Sequence, residues 1–175
     1  MVTSKYHLRI NEGRKFHELN QVNFSKSIPA TKIHSKLKGL RWITPNYKDN
    51  VEEEINFIED LKNIIQTDKR KKMVITHYSF ISSILDENFF SPSMAYTSDG
   101  SIIPLKNNKY SQKYKNLVIN LIKKNNVDVI YIVYPVHKGS IADYLDKSCL
   151  KEKLILKGVI SYEIKRCKDL IGKNN

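Results

Sequence analysis

Two short apolar runs stand out in an otherwise mixed chain, MVITHYSF at residues 73–80 and VDVIYIVYPV at residues 127–136. Both are rich in β-branched and aromatic residues and are flanked by helical patterns. Each therefore predicts a strand buried on both faces, as in a helix-covered sheet. Ahead of them, Val51, Ile55, Ile58, Leu61 and Ile65 recur at helical spacing. Asp49 or Asn50 is the expected cap of that helix, and Glu52, Glu53 and Glu54 suit the positive end of its dipole. A short helix is expected from about Ile81 to Phe89. A longer one follows Asn108, with Tyr110, Tyr114, Leu117, Val118, Leu121 and Ile122 as its apolar stripe and Asn125-Asn126 as its end.

The remaining elements are weaker. Arg41 to Thr44 reads as a short strand closed by Pro45, and residues 140–146 as a short helix. From Val159 to Lys165 the pattern alternates, with Ile160, Tyr162 and Ile164 on one face, which predicts a half-exposed or edge strand. Residues 1–40 show no clean period beyond a short helix near Arg14 to Asn20, and residues 91–107 form a long loop rich in Ser, Pro and Gly. The alternation of strands and helices predicts an α/β fold. The expected form is a three-layer α/β/α domain with a mostly parallel, Rossmann-like sheet of about four strands, an antiparallel strand being allowed at its edge. The expected organisation is an irregular segment over 1–40 that looks like a fragment whose upstream partner is missing, an α/β domain over 41–168, and a polar tail over 169–175.

Composition bounds this picture more than it directs it. A chain of 175 residues with 41% hydrophobic positions can bury a real core. No run approaches the roughly 18 apolar residues that cross a bilayer, and the polar N-terminus has no signal-peptide core. The net charge of +12 points towards nucleic acid, but lysine outnumbers arginine 25 to 5. Arginine is the better reader of phosphates and bases, and a Lys/Asn/Ile surplus is the codon signature of an AT-rich genome, so nucleic acid is not the expected partner. Cys149 and Cys167 lie 18 apart without a CxxC partner. They are expected to be two free thiols, insufficient for a zinc site.

Candidate chemistry gathers where the apolar runs end, because ligands collect beyond the carboxyl ends of strands in open α/β sheets. Thr76-His77-Tyr78-Ser79 could supply acid-base or nucleophilic groups, though no G-x-S-x-G elbow is present. His137-Lys138-Gly139-Ser140 ends the second run, and its Gly-Ser helix start offers backbone N–H groups to an anion. It lacks the phosphate-binding and dinucleotide motifs, and the simpler reading makes Ser140 an N-cap. The 91–107 loop carries Asp99 as a ligand-contacting carboxylate or a plain turn residue. Tyr96, Tyr110, Tyr131 and Tyr134 suit either a pocket wall or the core. The candidate ligand-binding set is His77, Tyr78, Asp99, His137, Lys138 and Ser140. No motif calls for a cofactor, and no HExxH, paired histidine or carboxylate cluster calls for a metal.

Several strings resemble a known family: KLKGLRWITP (36–45), KRKKMVITHYSF (69–80), SPSMAYTSDGSIIPLKNNKY (91–110), YKNLVINLIKKN (114–125) and VIYIVYP (129–135). In this order they look like the C-terminal soluble region of multi-pass bacterial membrane glycosyltransferases related to dolichyl-phosphate-mannose-protein mannosyltransferases, over roughly residues 5 to 168. The resemblance implies that the catalytic carboxylate and the polyprenyl-phosphate sugar donor belong to a membrane part that is not in this chain. No catalytic residue carries over. It also implies a domain severed from its last transmembrane helix, lying on the extracytoplasmic face, with the upstream membrane domain, a lipid-linked sugar or its acceptor as partners. The positive charge is compatible with that side, since the positive-inside bias governs short loops and not whole domains.

The leading expectation is thus a non-catalytic accessory domain of a membrane glycosyltransferase-like protein. One rival is a stand-alone α/β domain binding a nucleotide or sugar phosphate at the strand ends, in which case the location is cytoplasmic. Another is a basic module for nucleic acid or anionic lipid, recognisable by steep salt dependence.

Overall fold

The computed structural model describes residues 24–43, 50–93, 103–104, 108–136 and 139–165. The chain forms two compact units that meet in sequence between Ile64 and Ile65.

In the first unit, β1 (Ile28–Pro29) pairs antiparallel with β2 (Arg41–Trp42). Between them run two 3-10 turns, Ala30–Lys32 and Ser35–Leu37. Gly39 returns the chain at φ +90°, a left-handed conformation that glycine adopts without steric cost. The strand expected at 41–44 is therefore real but short, and it belongs to this small ribbon and not to the main sheet. Helix α1 (Val51–Thr67) follows. Asn50 caps it as the sequence predicts, its Oδ1 accepting from the N–H groups of Glu52 at 3.1 Å and Glu53 at 3.3 Å. Ile55, Ile58 and Leu61 are buried. Glu54 is buried beside them, and its Oε2 accepts from Trp42 Nε1 at 2.9 Å.

The second unit is built on a four-stranded sheet. Its strands are β3 (Lys72–Ile75), β4 (Val129–Val133), β5 (Leu150–Leu156) and β6 (Val159–Ile164), in the order β3-β4-β6-β5. Both apolar runs form fully buried strands, and they pair in parallel from Lys72↔Val129 to Ile75↔Ile132. The first run was expected to stay extended to Phe80. Instead the strand stops at Ile75, and the chain turns at Thr76–Ser79 into α2 (Phe80–Leu85). Here Thr76 Oγ1 accepts from the Tyr78 N–H at 3.0 Å, a local bond that replaces the ladder. Helix α3 (Ser111–Asn125) has Asn108 accepting from the Tyr110 N–H at 2.9 Å, and Asn126 ends it in the left-handed region at φ 51°.

The sheet is mixed, and this overturns the expected three-layer, mostly parallel Rossmann-like arrangement. Only β3–β4 is parallel; β4–β6 and β5–β6 are antiparallel. The cause lies after β4. Helix α4 spans only Gly139–Ala142, too short for a crossover, and β5 and β6 form a hairpin through Lys157 and Gly158, with Gly158 at φ 91°. Of the two readings of the 159–165 alternation, half-exposed or edge, β6 is partly buried along its length and is not the edge. It lies between β4 and β5, and the edge is β5.

One face of the sheet carries the core of this unit. Met73 and Ile75 from β3, Ile130 and Ile132 from β4, and Tyr162 from β6 cluster with Val118, Ile119 and Ile122 of α3. Each such aliphatic side chain contributes about 1.5–3 kcal/mol when withdrawn from water. Cys149 is in the same cluster and is disulfide-bonded, which corrects the expectation of two free thiols. The chain's other cysteine, Cys167, lies outside the described residues.

Candidate functional site

Because β3 and β4 are parallel neighbours, the turn after Ile75 and the turn after Val133 leave the same end of the sheet. This is the end at which the sequence places its candidates. His77 occupies the first turn. Its ring lies 3.7 Å from that of Tyr78, centroid to centroid, and its Nδ1 is buried without a hydrogen-bond partner among the described residues. Burial lowers its pKa from 6.5 to about 4, so the imidazole is neutral at physiological pH. Tyr78 is buried. Ser79 meets His77 through the backbone, its N–H donating to the His77 carbonyl at 2.9 Å. That contact fixes the turn and forms no nucleophile–base pair.

The other candidates are not brought to this turn by anything the structure describes. Asp99, His137 and Lys138 lie outside the described residues. Ser140 falls inside α4, which begins at Gly139, so it is a helical residue and not the N-cap expected of it. Of the tyrosines, Tyr96 is outside the described residues. Tyr110 and Tyr134 are 53% and 56% exposed, and Tyr131 is buried with its hydroxyl bound elsewhere.

A cavity of about 410 Å³ opens beside β3, on the flank away from β4, and its described lining comes from residues 74–93. That volume is within the range of roughly 300–1,000 Å³ usual for small-molecule sites. Val74 and Thr76 form its floor from β3 and the turn beyond, and Ser79, Ser82 and Ser83 bring hydroxyls from α2 and its start. The wall is the segment from Asp86 to Ser93. This segment is held against the strand by the Val74 N–H donating to the Phe89 carbonyl at 3.3 Å, and by an ion pair between Lys72 and Glu87. The Lys72 ammonium is almost wholly buried there, so Glu87 compensates a charge that would otherwise be costly.

Two residues of this wall have left-handed backbone. Asp86 closes α2 at φ 52°, an ordinary cap position, with its N–H donating to the Ser82 carbonyl. Phe90 stands at φ 47°, where a bulky side chain is strained by about 1–3 kcal/mol, and such strain gathers at functional sites. Asn88 Oδ1 accepts from the Phe90 N–H at 3.0 Å and holds that turn.

The lining thus contains hydroxyls, an amide, carboxylates and phenyl rings, and among the described residues that form it none is Lys, Arg or His. Of this set, the sequence pattern singled out Thr76, Ser79 and the start of the 91–107 loop, from which Ser91 and Ser93 line the cavity. The portion between, SSILDENFF, reads from sequence as one short helix. Its signal was the density of polar residues from Ser82 to Asn88, more than one solvent-facing side of so short a helix holds.

A second polar cluster is structural. Asp68 accepts from Arg70 Nε and Nη2, from the Arg70 N–H, and from the Tyr131 hydroxyl at 2.6 Å, while Arg70 Nη1 donates to Glu163 at 3.2 Å. Burial pushes the Asp68 carboxyl up, but the hydrogen bonds from Arg70 and Tyr131 outweigh it and bring the pKa down to about 2. Burial and the Asp68 carboxylate raise Tyr131 to about 12. Among the described residues no three His, Cys, Asp or Glu side chains are grouped to hold a metal. No family model, curated protein or solved structure matches the chain.

Proposed function

We propose that the chain is a non-catalytic accessory domain of a bacterial membrane glycosyltransferase-like protein, and that it recognises substrate through the cavity beside β3. The observation that carries this reading is the make-up of that cavity. It is polar and of ligand size, its Glu87 carboxylate is engaged by Lys72, and among the described residues the nearby His77 imidazole has no hydrogen-bond partner at Nδ1. Such a site can hold and orient a ligand.

The resemblance of the strings over 36–135 supports the assignment to a membrane glycosyltransferase-like parent. Among the described residues no helix is long and apolar enough to cross a membrane. The disulfide at Cys149 supports the extracytoplasmic face, because disulfides persist in oxidising compartments. The rival reading, a nucleotide or sugar-phosphate site, gains nothing from a cavity whose described lining has carboxylates and no basic residue.

The test is to incubate the chain with glycosides, polyprenyl-phosphate sugars and nucleotides while following binding and turnover together. Saturable binding with the ligand recovered unchanged is expected. Turnover by the chain alone, or no binding to any member of the set, overturns the reading.

A further inference from the structure

Charge is distributed unevenly between the two long helices. Helix α1 carries five carboxylates and one lysine, whereas α3 carries Lys113, Lys115, Lys123 and Lys124 and no acidic residue. A lysine surplus of purely compositional origin would raise both helices alike. We infer that the outward face of α3 is a docking surface for an anionic lipid bilayer. The inference is independent of the cavity beside β3.

Helical geometry defines the face. Val118, Ile119 and Ile122 are buried in the core of the unit, and Lys113, Leu117, Asn120 and Lys124 form the opposite stripe at alternating helical spacing. All four are exposed, Leu117 by 44%. Two turns before Leu117, and so on the same side, Tyr110 is 53% exposed, with the Lys109 ammonium 5.0 Å from its ring centroid. From Lys113 to Lys124 the stripe runs about 16 Å along the helix axis.

The make-up of the stripe selects the partner. A lysine stem lies along apolar surface while its ammonium reaches out to headgroup phosphates. Each lysine held near an anionic bilayer strengthens binding about fivefold. Leu117 stands between two such cations and Tyr110 at one end. Both are residue types that enter the interfacial layer once charge has brought a helix to it. One leucine and one tyrosine supply little of the apolar centre that a protein interface needs. For nucleic acid the set is also wrong. Helix α3 has no arginine, the residue that grips phosphate with two hydrogen bonds and reads guanine. The middle of its face is a leucine, where a recognition helix presents polar groups to base edges.

The experiment sediments the full chain with phosphatidylcholine vesicles containing about 30% phosphatidylglycerol, and with phosphatidylcholine vesicles alone. Binding to the anionic vesicles is expected to be at least about tenfold tighter, and to weaken steeply as salt rises from about 0.05 to 0.3 M. Lys113→Gln combined with Lys124→Gln should weaken it about 25-fold, two fivefold losses, with an unchanged Tm because both positions are exposed. Leu117→Ser should weaken it about threefold and leave its salt dependence as it was. Lys151→Gln combined with Lys153→Gln removes the same charge from exposed positions of β5, and should change binding less than about twofold. Equal losses from the two pairs would show attraction to net charge alone and overturn the assignment to α3. Binding that the α3 pair leaves intact overturns it, as does equal binding to both kinds of vesicle. No binding to the anionic vesicles overturns it too, and an oligonucleotide complex lost with the α3 lysines would then give the face to nucleic acid. Glycoside binding depends on neither Lys113 nor Lys124, so each of these outcomes leaves the reading of the cavity where it stood.

Discussion

At the residue scale, the polar groups that matter are few and already engaged. Asp68 accepts from four donors, three on Arg70 and the Tyr131 hydroxyl, and is held at a pKa of about 2 against an ordinary 3.8. Its stabilising contribution is therefore complete above about pH 3.8 and is lost as the pH falls through about 2. After allowance for solvent screening at this part-exposed position, that contribution is about 1 kcal/mol. Asp68→Asn should lower stability at neutral pH by about 1–2 kcal/mol and flatten the acid limb between pH 4 and 2, as measured by urea unfolding across that range. His77 acts in a different window. Burial lowers its pKa from 6.5 to about 4, so the unfolded chain binds a proton that the folded chain refuses. Stability should fall as the pH drops from about 6.5 to about 4, and His77→Gln should remove that slope from the same unfolding series.

At the element scale, legibility followed the chemistry of burial. The strands at 72–75 and 129–133 were visible because every side chain in them is buried, which demands continuous apolar runs. Strand β5 was invisible for the complementary reason. Lys151, Glu152, Lys153 and Leu154 are exposed at the sheet edge, where charge deters pairing with another chain, and no apolar period survives. The position of β6 was misjudged because Ser161 and Glu163 look like a solvent face. Ser161 is in fact buried, and Glu163 is tied to Arg70 and Lys151. The cavity was half legible. Thr76 and Ser79 were singled out, though as the end of a strand and not as a turn, and the wall from Asp86 to Phe90 depends on two left-handed residues that no periodicity reveals. The resulting order β3-β4-β6-β5 makes a prediction about dynamics. Amide hydrogens of Val129–Val133, paired on both sides, should exchange most slowly, and those of β5 on its open side should exchange fastest among the strands. Uniform protection across the four strands in hydrogen-exchange mass spectrometry would contradict the order.

At the scale of the whole molecule, the account joins a mixed sheet, a covalent bond in its core and a polar cavity at its edge. The disulfide at Cys149 has a simple check, since the chain holds two cysteines in all. Denatured, unreduced protein should show no titratable thiol, and reduction should expose both and lower stability by about 2–4 kcal/mol. Two thiols before reduction would contradict the disulfide and weaken the case for an oxidising compartment. The central claim, however, is that the cavity beside β3 is the recognition surface. Amide shift mapping of the isotope-labelled chain with the tightest-binding glycoside tests it most directly. The account predicts perturbations concentrated in residues 74–93, with the Asp68, Tyr131 and Glu163 amides unmoved. Perturbations centred elsewhere, or none at saturating sugar, would contradict it.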